Sequence, residues 1–510
     1  MAEYNSLEKI RLQKIEELRA EGIESYPTRA ERTHTNAKVI AEFEAAEKNA
    51  APDTTPEVKA VLVGRIRANR AMGKVSFAHI EDGSGKIQLF FRSNELGKER
   101  LDLFNKMFDL GDFIQASGVM FRTKTGEVSL HVHDFKLLAK SVTPLPADKD
   151  VTQEDGTVTR YAALESPELR ARQRYADLAV NPDVRETFRK RATLIKALRN
   201  FLDGHDFLEV ETPILQPLYG GAAARPFVTH HNELDQDMYL RISFELYLKR
   251  LLVGNLERVY EIGRDFRNEG VSFKHNPEFT QLEFYWAYAD YLQVMELTEQ
   301  MVAYVAEQVT GSTKVTFGEY ELEFKPPWNR VEMRQGILET SGIDIAEHKT
   351  AEELFKAIRA KHPNKTPDPK SARGKMIDFL LGEFLEPTLI QPTFLYNYPR
   401  DISPLAKSIP GDPLTVERFE GYAAGFELCN AFTELNDPLD QEQRFIEMGR
   451  DYTDDEEEKH PLDEDYLRAM RYGMPPNGGF GMGVDRLAML LTNKHSIREV
   501  LLFPALRKEE

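Results

Sequence analysis

Apolar residues change their spacing along this chain, and each change predicts a different kind of structure. Leu7, Ile10, Ile15 and Leu18 keep near-helical spacing until Gly22 and Pro27 interrupt it, which predicts an amphipathic helix packed on a neighbour. Residues 45–56 are rich in Ala, Thr and Pro and predict a linker. From Val58 the period shortens. VKAVLVGRIRANR, KVSFAHIEDGSG, KIQLFF, DFIQASGVMFRT and VSLHVHDFKLLAK carry the alternation and the β-branched and aromatic residues of strands. Asp82-Gly83 and Thr125-Gly126 mark hairpins, and a helical stretch over residues 96–109 interrupts the series. Five short strands with one helix, in about 80 residues, predict an OB-fold barrel.

Residues 143–159, rich in Pro and acids, predict a connector. Beyond them Val184, Phe188, Ile195, Leu198 and Leu202 form a helical stripe ending near Gly204, and Pro213 limits the strand that follows. Helix and strand then alternate without regular βαβ spacing, through a helix-rich stretch over 329–379. That pattern predicts an α+β domain with a mostly antiparallel sheet flanked by helices. No GxGxxG fingerprint and no Walker loop is present. The expected organisation is a helical extension over 1–57, the barrel over 58–142, a linker over 143–183 and a large second domain over 184–510.

Composition narrows the class. With 510 residues, 41% of them hydrophobic, the chain can build several cores. A single cysteine, Cys429, excludes a disulfide scaffold and fits a reducing compartment. No apolar run reaches membrane-spanning length, and the N-terminus is polar and acidic, unlike a signal peptide. A soluble, cytoplasmic protein without membrane partners is expected. The net charge of −18 argues against nucleic-acid binding until it is mapped. Residues 58–140 hold 14 Lys/Arg against 9 Asp/Glu, a local balance of +5. The acid run at 454–458 reads as a solvated loop.

Candidate chemistry concentrates in three segments. RVYEIGRDFRNEGVSFKHNPEFTQLEFYWAYAD (258–290) reads strand, charged loop, strand. A hairpin tip needs turn formers, not Arg267, Glu269, Lys274 and His275 together. The planar guanidinium of Arg267 suits a phosphate, and Phe279 offers a face to a purine. In RFEGYAAGFELCNAFTELND (418–437), Glu420 and Glu427 lie seven apart. On a strand they would face opposite ways unless a turn at Gly421 or Gly425 resets the alternation. GFGMGVDR (479–486) reads as glycine-rich backbone running into a helix, with Arg486 at its start.

FRNEG followed by HNPEF resembles motif 2 of the class II aminoacyl-tRNA synthetases, in the form found in the lysine enzymes. FLDGHDFLEVETP (201–213) is similar to motif 1, and FGMGVDR (480–486) to motif 3. The likeness runs from about residue 11 to 507. The resemblance implies a ligase that uses ATP and Mg²⁺ to form lysyl-adenylate from L-lysine, then esterifies the 3′ end of tRNA(Lys). It also implies a homodimer built through motif 1. It assigns Arg267 to the α-phosphate and Arg486 to the γ-phosphate as the catalytic pair. It assigns Glu269 to the adenine, His275 to the phosphate tail, Phe279 to the purine face, and Glu420 and Glu427 to the metal.

Lysine is a long aliphatic stem ending in a cation, so its pocket needs carboxylates at depth and an aromatic wall. The resemblance assigns Glu434 and Tyr285 to the ε-ammonium, Glu245 to the α-amino group and Gly221 to the backbone end. Glu283 and Asn430 are the further polar candidates. On the barrel, Arg70, Phe77, Gln88 and Glu127 match positions that meet the anticodon, Phe77 stacking on the central uridine. Alternation with Val75 and His79 leaves the face of Phe77 undecided. Two departures stand out. Ser243-Phe244 precedes Glu245 where the family usually has proline before the acid, so the turn there is expected to shift. Asn477-Gly478 replaces the commoner Thr-Ala. The alternatives are an aspartyl- or asparaginyl-tRNA synthetase, whose pocket needs cationic groups, and a non-catalytic synthetase-like RNA-binding regulator.

Overall fold

Short turns close the N-terminal strands on themselves. A computed structural model describes residues 4–51, 56–146, 149–152, 158–161, 164, 166–222, 224–451 and 462–508. Two compact units result, Met1–Ser166 and Pro167–Glu510. In the first, β1 (Lys59–Met72), β2 (Val75–Glu81), β3 (Lys86–Arg92), β4 (Phe113–Arg122) and β5 (Val128–Ala139) form a closed barrel in the order β1-β2-β3-β5-β4. Alternate residues such as Leu62, Ala78, Ile80, Leu89, Ile114, Ala116 and Val132 are fully buried inside it. The expected helix over 96–109 is two, Ser93–Leu96 and Lys98–Met107, broken at Gly97.

Two helices precede the barrel, Ser6–Ala20 and Asn36–Asn49, and Leu18, Val39 and Phe43 join its core. The second corrects the linker expected over 45–56. Thr35 caps this helix, and Val39, Ile40, Phe43 and Ala46 keep helical spacing within it before the composition turns to Pro and Thr. The connector expected over 143–159 contains a paired ladder instead, Lys149–Thr152 antiparallel to Val158–Tyr161. The linker is also shorter than 143–183. Helices Pro167–Arg172 and Arg174–Val180 belong to the second unit, where Arg174 pairs with buried Asp177. The acid run at 454–458 lies outside the described residues.

The second unit is built on one large sheet. Its strands are β6 (Leu208–Glu209), β7 (Arg258–Phe266), β8 (Glu278–Ala287), β9 (Asn329–Glu332), β10 (Thr393–Pro399), β11 (Asp412–Ala423), β12 (Phe426–Thr433) and β13 (Asn477–Gly483). Their order is β9-β10-β11-β12-β13-β8-β7-β6, with Ser408–Ile409 added beside β11. Only the edge pairs β6–β7 and β9–β10 are parallel. Helices Pro182–Asp203, Tyr291–Thr310 and Val484–Leu491 share one core with the sheet residues Tyr260, Leu282, Phe284, Ala431 and Phe480. Asp290 and Gln293 form a capping box at the start of the long helix, and Gly311 ends it in the left-handed conformation. Among the described residues no helix is long and apolar enough to cross a membrane.

Candidate active site

The middle of this sheet carries a cavity of about 350 Å³. Every residue expected around the nucleotide and the amino acid lines it: Gly221, Glu245, Arg267, Glu269, His275, Phe279, Glu283, Tyr285, Glu420, Glu427, Asn430, Glu434 and Arg486. Adjacent central strands explain the convergence. β8, β13 and β12 pair in register, Glu283 opposite Gly481 and Gly481 opposite Asn430.

Cations gather at one end. Arg267 leaves β7 and sets its guanidinium 5.1 Å from the centre of the Phe279 ring. One face of that ring is therefore covered. The Nε of Arg267 is buried without a hydrogen-bond partner among the described residues. Arg486, at the start of the helix after β13, donates from Nη1 to the Glu427 backbone carbonyl at 2.8 Å and to Glu427 Oε2 at 2.9 Å. His275 Nε2 lies 3.5 Å from Arg486 Nη2. Burial, then Arg486, Lys274 and Arg267, hold the imidazole below its ordinary value, which keeps it neutral. Glu269 is exposed at the rim.

The hairpin β11–β12 resolves the odd spacing of the two acids. Ala424 (φ 52°) and Gly425 (φ 73°) are both left-handed, as a tight primed turn requires. A register shift between Gly421 and Tyr422 then brings Glu420 and Glu427 to the same cavity. Glu420 accepts from Tyr398 at 2.8 Å, Tyr422 at 2.5 Å and Arg418 at 2.6 Å. Arg418 also donates to Asn430 Oδ1 at 2.9 Å, so one half-buried guanidinium orients two lining residues.

Acids gather at the other end. Glu434 is 1% exposed, and its Oε1 has no hydrogen-bond partner among the described residues. A Cβ at Gly479 would lie 1.8 Å from that oxygen and 2.6 Å from Tyr285 Cε1, so only glycine leaves this space open. Glu283 accepts from Ser243 Oγ at 2.8 Å, Gln281 Nε2 at 2.8 Å and Tyr285 Oη at 3.2 Å. Burial, reinforced by the carboxylates of Asp265 and Glu245, pushes its carboxyl up to about 8. Gly221 sits at φ 87°, and a Cβ there would come within 3.0 Å of Glu245 Cβ and Ser243 Oγ.

The Ser243-Phe244 departure acquires a function here. The Phe244 backbone N–H donates to Glu283 Oε1 at 3.3 Å, a donor that proline lacks. Ser243 Oγ in turn accepts from the Glu245 backbone N–H at 3.1 Å. The Phe244 ring is buried, with the Arg241 guanidinium 4.0 Å from its centre.

Sequence reasoning overlooked three residues. Arg418 and Gly479 are described above. Lys249 is fully buried behind the acids, with its Nζ 2.5 Å from Glu245 Oε1 and paired with Glu434 Oε2. Its signal was present. It lies four residues after Glu245 on the helix Glu245–Val253, the spacing that stacks two side chains on one face.

On the barrel, the burial of β2 alternates so that Ser76, Ala78 and Ile80 point inward and Phe77 outward with Val75 and His79. The Phe77 ring stands 5.0 Å from Phe90. Arg70 is the cross-strand neighbour of Phe77 and is exposed. Gln88 donates to Glu127 Oε2 at 2.7 Å, and Glu127 also meets His79 at 2.8 Å. The four expected residues thus share the outer face of the barrel.

Comparison with known proteins agrees with both units. Residues 166–507 match the family of class II tRNA synthetases (D, K and N), and residues 60–138 match the OB-fold nucleic acid binding domain. A lysine–tRNA ligase of Roseiflexus castenholzii is 51% identical over 100% of this chain and 100% of its own. One of Clostridium tetani is 49% identical over 99% of this chain and 97% of its own, and one of Pelotomaculum thermopropionicum 48% over 100% and 96%. A family match over the whole second unit, with full-length relatives near half identity, means that this chain belongs to the class II tRNA synthetases.

Proposed function

We propose that the protein is an ATP-dependent lysine–tRNA ligase that makes lysyl-adenylate and then esterifies the 3′ end of tRNA(Lys). The observation that carries this reading is the polarity of that cavity, with guanidiniums at one end and a buried carboxylate oxygen of Glu434, unpartnered among the described residues, at the other. Leaving such an oxygen unpaired costs free energy that a cationic guest offsets. An aspartyl or asparaginyl reading needs a free cation at that depth. Lys249 is not one, because two carboxylates already hold it.

In this reading the lysine stem lies along Tyr285 with its ε-ammonium at Glu434. Glu245 takes the α-amino group beside Gly221, with Glu283 and Asn430 completing the polar wall. The lysine carboxylate attacks the α-phosphorus and pyrophosphate leaves. No side chain must give or take a proton in that step, so Arg267 and Arg486 act by orienting and neutralising the α- and γ-phosphates. The exposed face of Phe279 receives the purine, Glu269 its edge, and His275 the phosphate tail. Glu420 and Glu427 are hard oxygen donors turned to the phosphate end, and their set suits Mg²⁺. They would hold that ion, which when bound neutralises phosphate charge. The 3′-hydroxyl of the terminal ribose then attacks the adenylate carbonyl and AMP departs.

Arg70, Phe77, Gln88 and Glu127 take the anticodon, Phe77 by stacking. Leu208, Ile214 and Leu215 around the motif 1 segment are exposed apolar side chains, which favours a homodimer through that edge. A cytoplasmic setting suits the work and the unpaired, buried Cys429. Pyrophosphate exchange with lysine, aspartate and asparagine in turn tests the substrate. Exchange with lysine alone is expected, and exchange with aspartate alone would overturn the reading. Absence of exchange with every amino acid would favour the non-catalytic regulator.

A further inference from the structure

Far from the cavity in sequence, a second set of coordinating side chains converges on the outer face of the barrel. Glu95, His131 and His133 bring a carboxylate oxygen and two ring nitrogens within 4.8 Å of one another. His131 and His133 lie two apart on β5, and a strand sends such residues to the same side. The register of β4 and β5 shifts at this point. Val132 faces Gly118 and Asp134 faces Ser117, so His133 is the extra residue of a bulge. Glu95 reaches the pair from the helix Ser93–Leu96. We propose that Glu95, His131 and His133 form a binding site for a divalent transition-metal ion, with Zn²⁺ the best fit.

His131 lacks what such an ion supplies. Its Nε2 is buried without a hydrogen-bond partner among the described residues, although Glu95 Oε2 is only 2.9 Å away. The carboxylate is therefore near the nitrogen but off the axis along which the ring donates or accepts. Two donors that share one ion stand in this relation. At about 2.1 Å each from the ion and at right angles, they are about 3 Å apart, and neither points at the other. An ion on the Nε2 axis satisfies a nitrogen that folding has otherwise stripped of water.

Ring packing fixes the imidazole in advance. Its centre is 5.3 Å from that of Phe90, its neighbour on β3, 5.8 Å from Phe121 and 5.4 Å from His133. A ligand already oriented loses less freedom when the ion arrives. Glu95 and His133 are exposed, which leaves an entry path and room for water as a fourth ligand. Arg92 Nη1 lies 3.4 Å from Glu95 Oε1, but an exposed pair of this kind is a weak competitor. The donor set decides the ion. Mg²⁺ and Ca²⁺ take oxygen ligands, whereas imidazole suits Zn²⁺, Ni²⁺ and Cu²⁺. Two imidazoles, one carboxylate and a water complete the tetrahedron that Zn²⁺ adopts. The site lies within the first unit and does not depend on which amino acid the cavity takes.

The test is calorimetric titration of the untagged, metal-free full chain with Zn²⁺, in excess Mg²⁺ so that the oxygen donors Glu420 and Glu427 are already occupied. Wild type is compared with Glu95→Ala and His133→Ala. Both side chains are exposed and outside the active site, so pyrophosphate exchange in Mg²⁺ alone should match wild type and shows that each variant is folded. One equivalent of Zn²⁺ should bind to wild type. Each variant should bind that equivalent at least about tenfold more weakly, because even groups one shell beyond the ligands change metal affinity by about 10–100-fold. Co²⁺ in place of Zn²⁺ should give wild type the visible absorption of a tetrahedral complex, and both variants should lose it. Absence of the Zn²⁺ equivalent from wild type, or its survival at unchanged affinity in either variant, would overturn the inference.

Discussion

Replacing Glu434 by glutamine removes the carboxylate that meets the ε-ammonium in the bound complex, while keeping shape and one carbonyl acceptor. The side chain is 0% exposed and touches Lys249 on one oxygen, with the other facing the cavity. Two unit charges about 4 Å apart at an effective dielectric near 20 interact by roughly 4 kcal/mol. Removing one partner of a buried pair costs about 3–5 kcal/mol, because the other charge stays buried. The amide oxygen can still accept a hydrogen bond from the ε-ammonium, which moves the expectation to the lower end, about 3 kcal/mol. At 1.4 kcal/mol per factor of ten, this raises the lysine KM roughly 100-fold. Lys249 keeps Glu245, so the fold should survive. The assay is pyrophosphate exchange at saturating ATP with lysine varied over four decades, then at saturating lysine with ATP varied. A lysine KM within about threefold of wild type would refute the assignment of Glu434 to the ε-ammonium. So would an equal rise in the KM for ATP, because the nucleotide end is walled by other residues.

Three other outcomes follow from the same geometry. Gly479→Ala drives a methyl into the space between Glu434 Oε1 and Tyr285, so lysine exchange should fall at least about 100-fold while ATP protection of Arg267 from limited modification persists. Glu283 has a folded-state value of about 8, above its unfolded range, so the folded protein binds the extra proton and stability falls as pH rises from about 4.5 to 8. Glu283→Gln should therefore close the gap to wild type, or overtake it, as melting is followed from pH 5 to 8; a gap that widens would refute the sign. Phe77→Ala removes an outward ring from β2, and should weaken tRNA binding by about 1–3 kcal/mol without changing tRNA-independent pyrophosphate exchange. Loss of exchange there would place Phe77 in a structural role.

Much of this protein was legible because local chemistry and global fold agree. The two-residue alternation over 58–140 defined five strands, since a strand with one buried face must repeat every second residue. Arg267, Glu269, His275 and Phe279 fall within one hairpin, so their proximity needed no tertiary information. The helix Asn36–Asn49 escaped notice because its Ala- and Glu-rich end resembles loop composition, and its cap at Thr35 is a weak signal when read alone.

The arrangement of the pocket is different in kind. Glu420 and Glu427 meet because a primed turn and a register shift cancel an odd spacing, a result of backbone geometry that residue counting cannot supply. Gly479 and Glu434 stand 45 positions apart, and only strand pairing reveals that a methyl on one would strike the other. Lys249 lies one helical turn after Glu245, but only the fold buries both of them against Glu434. Residue types and periods along the chain determined which strands, helices and reactive groups exist. Packing alone decided which charges lose their water and therefore must find one another, because desolvation is a property of the assembled core and of no single segment.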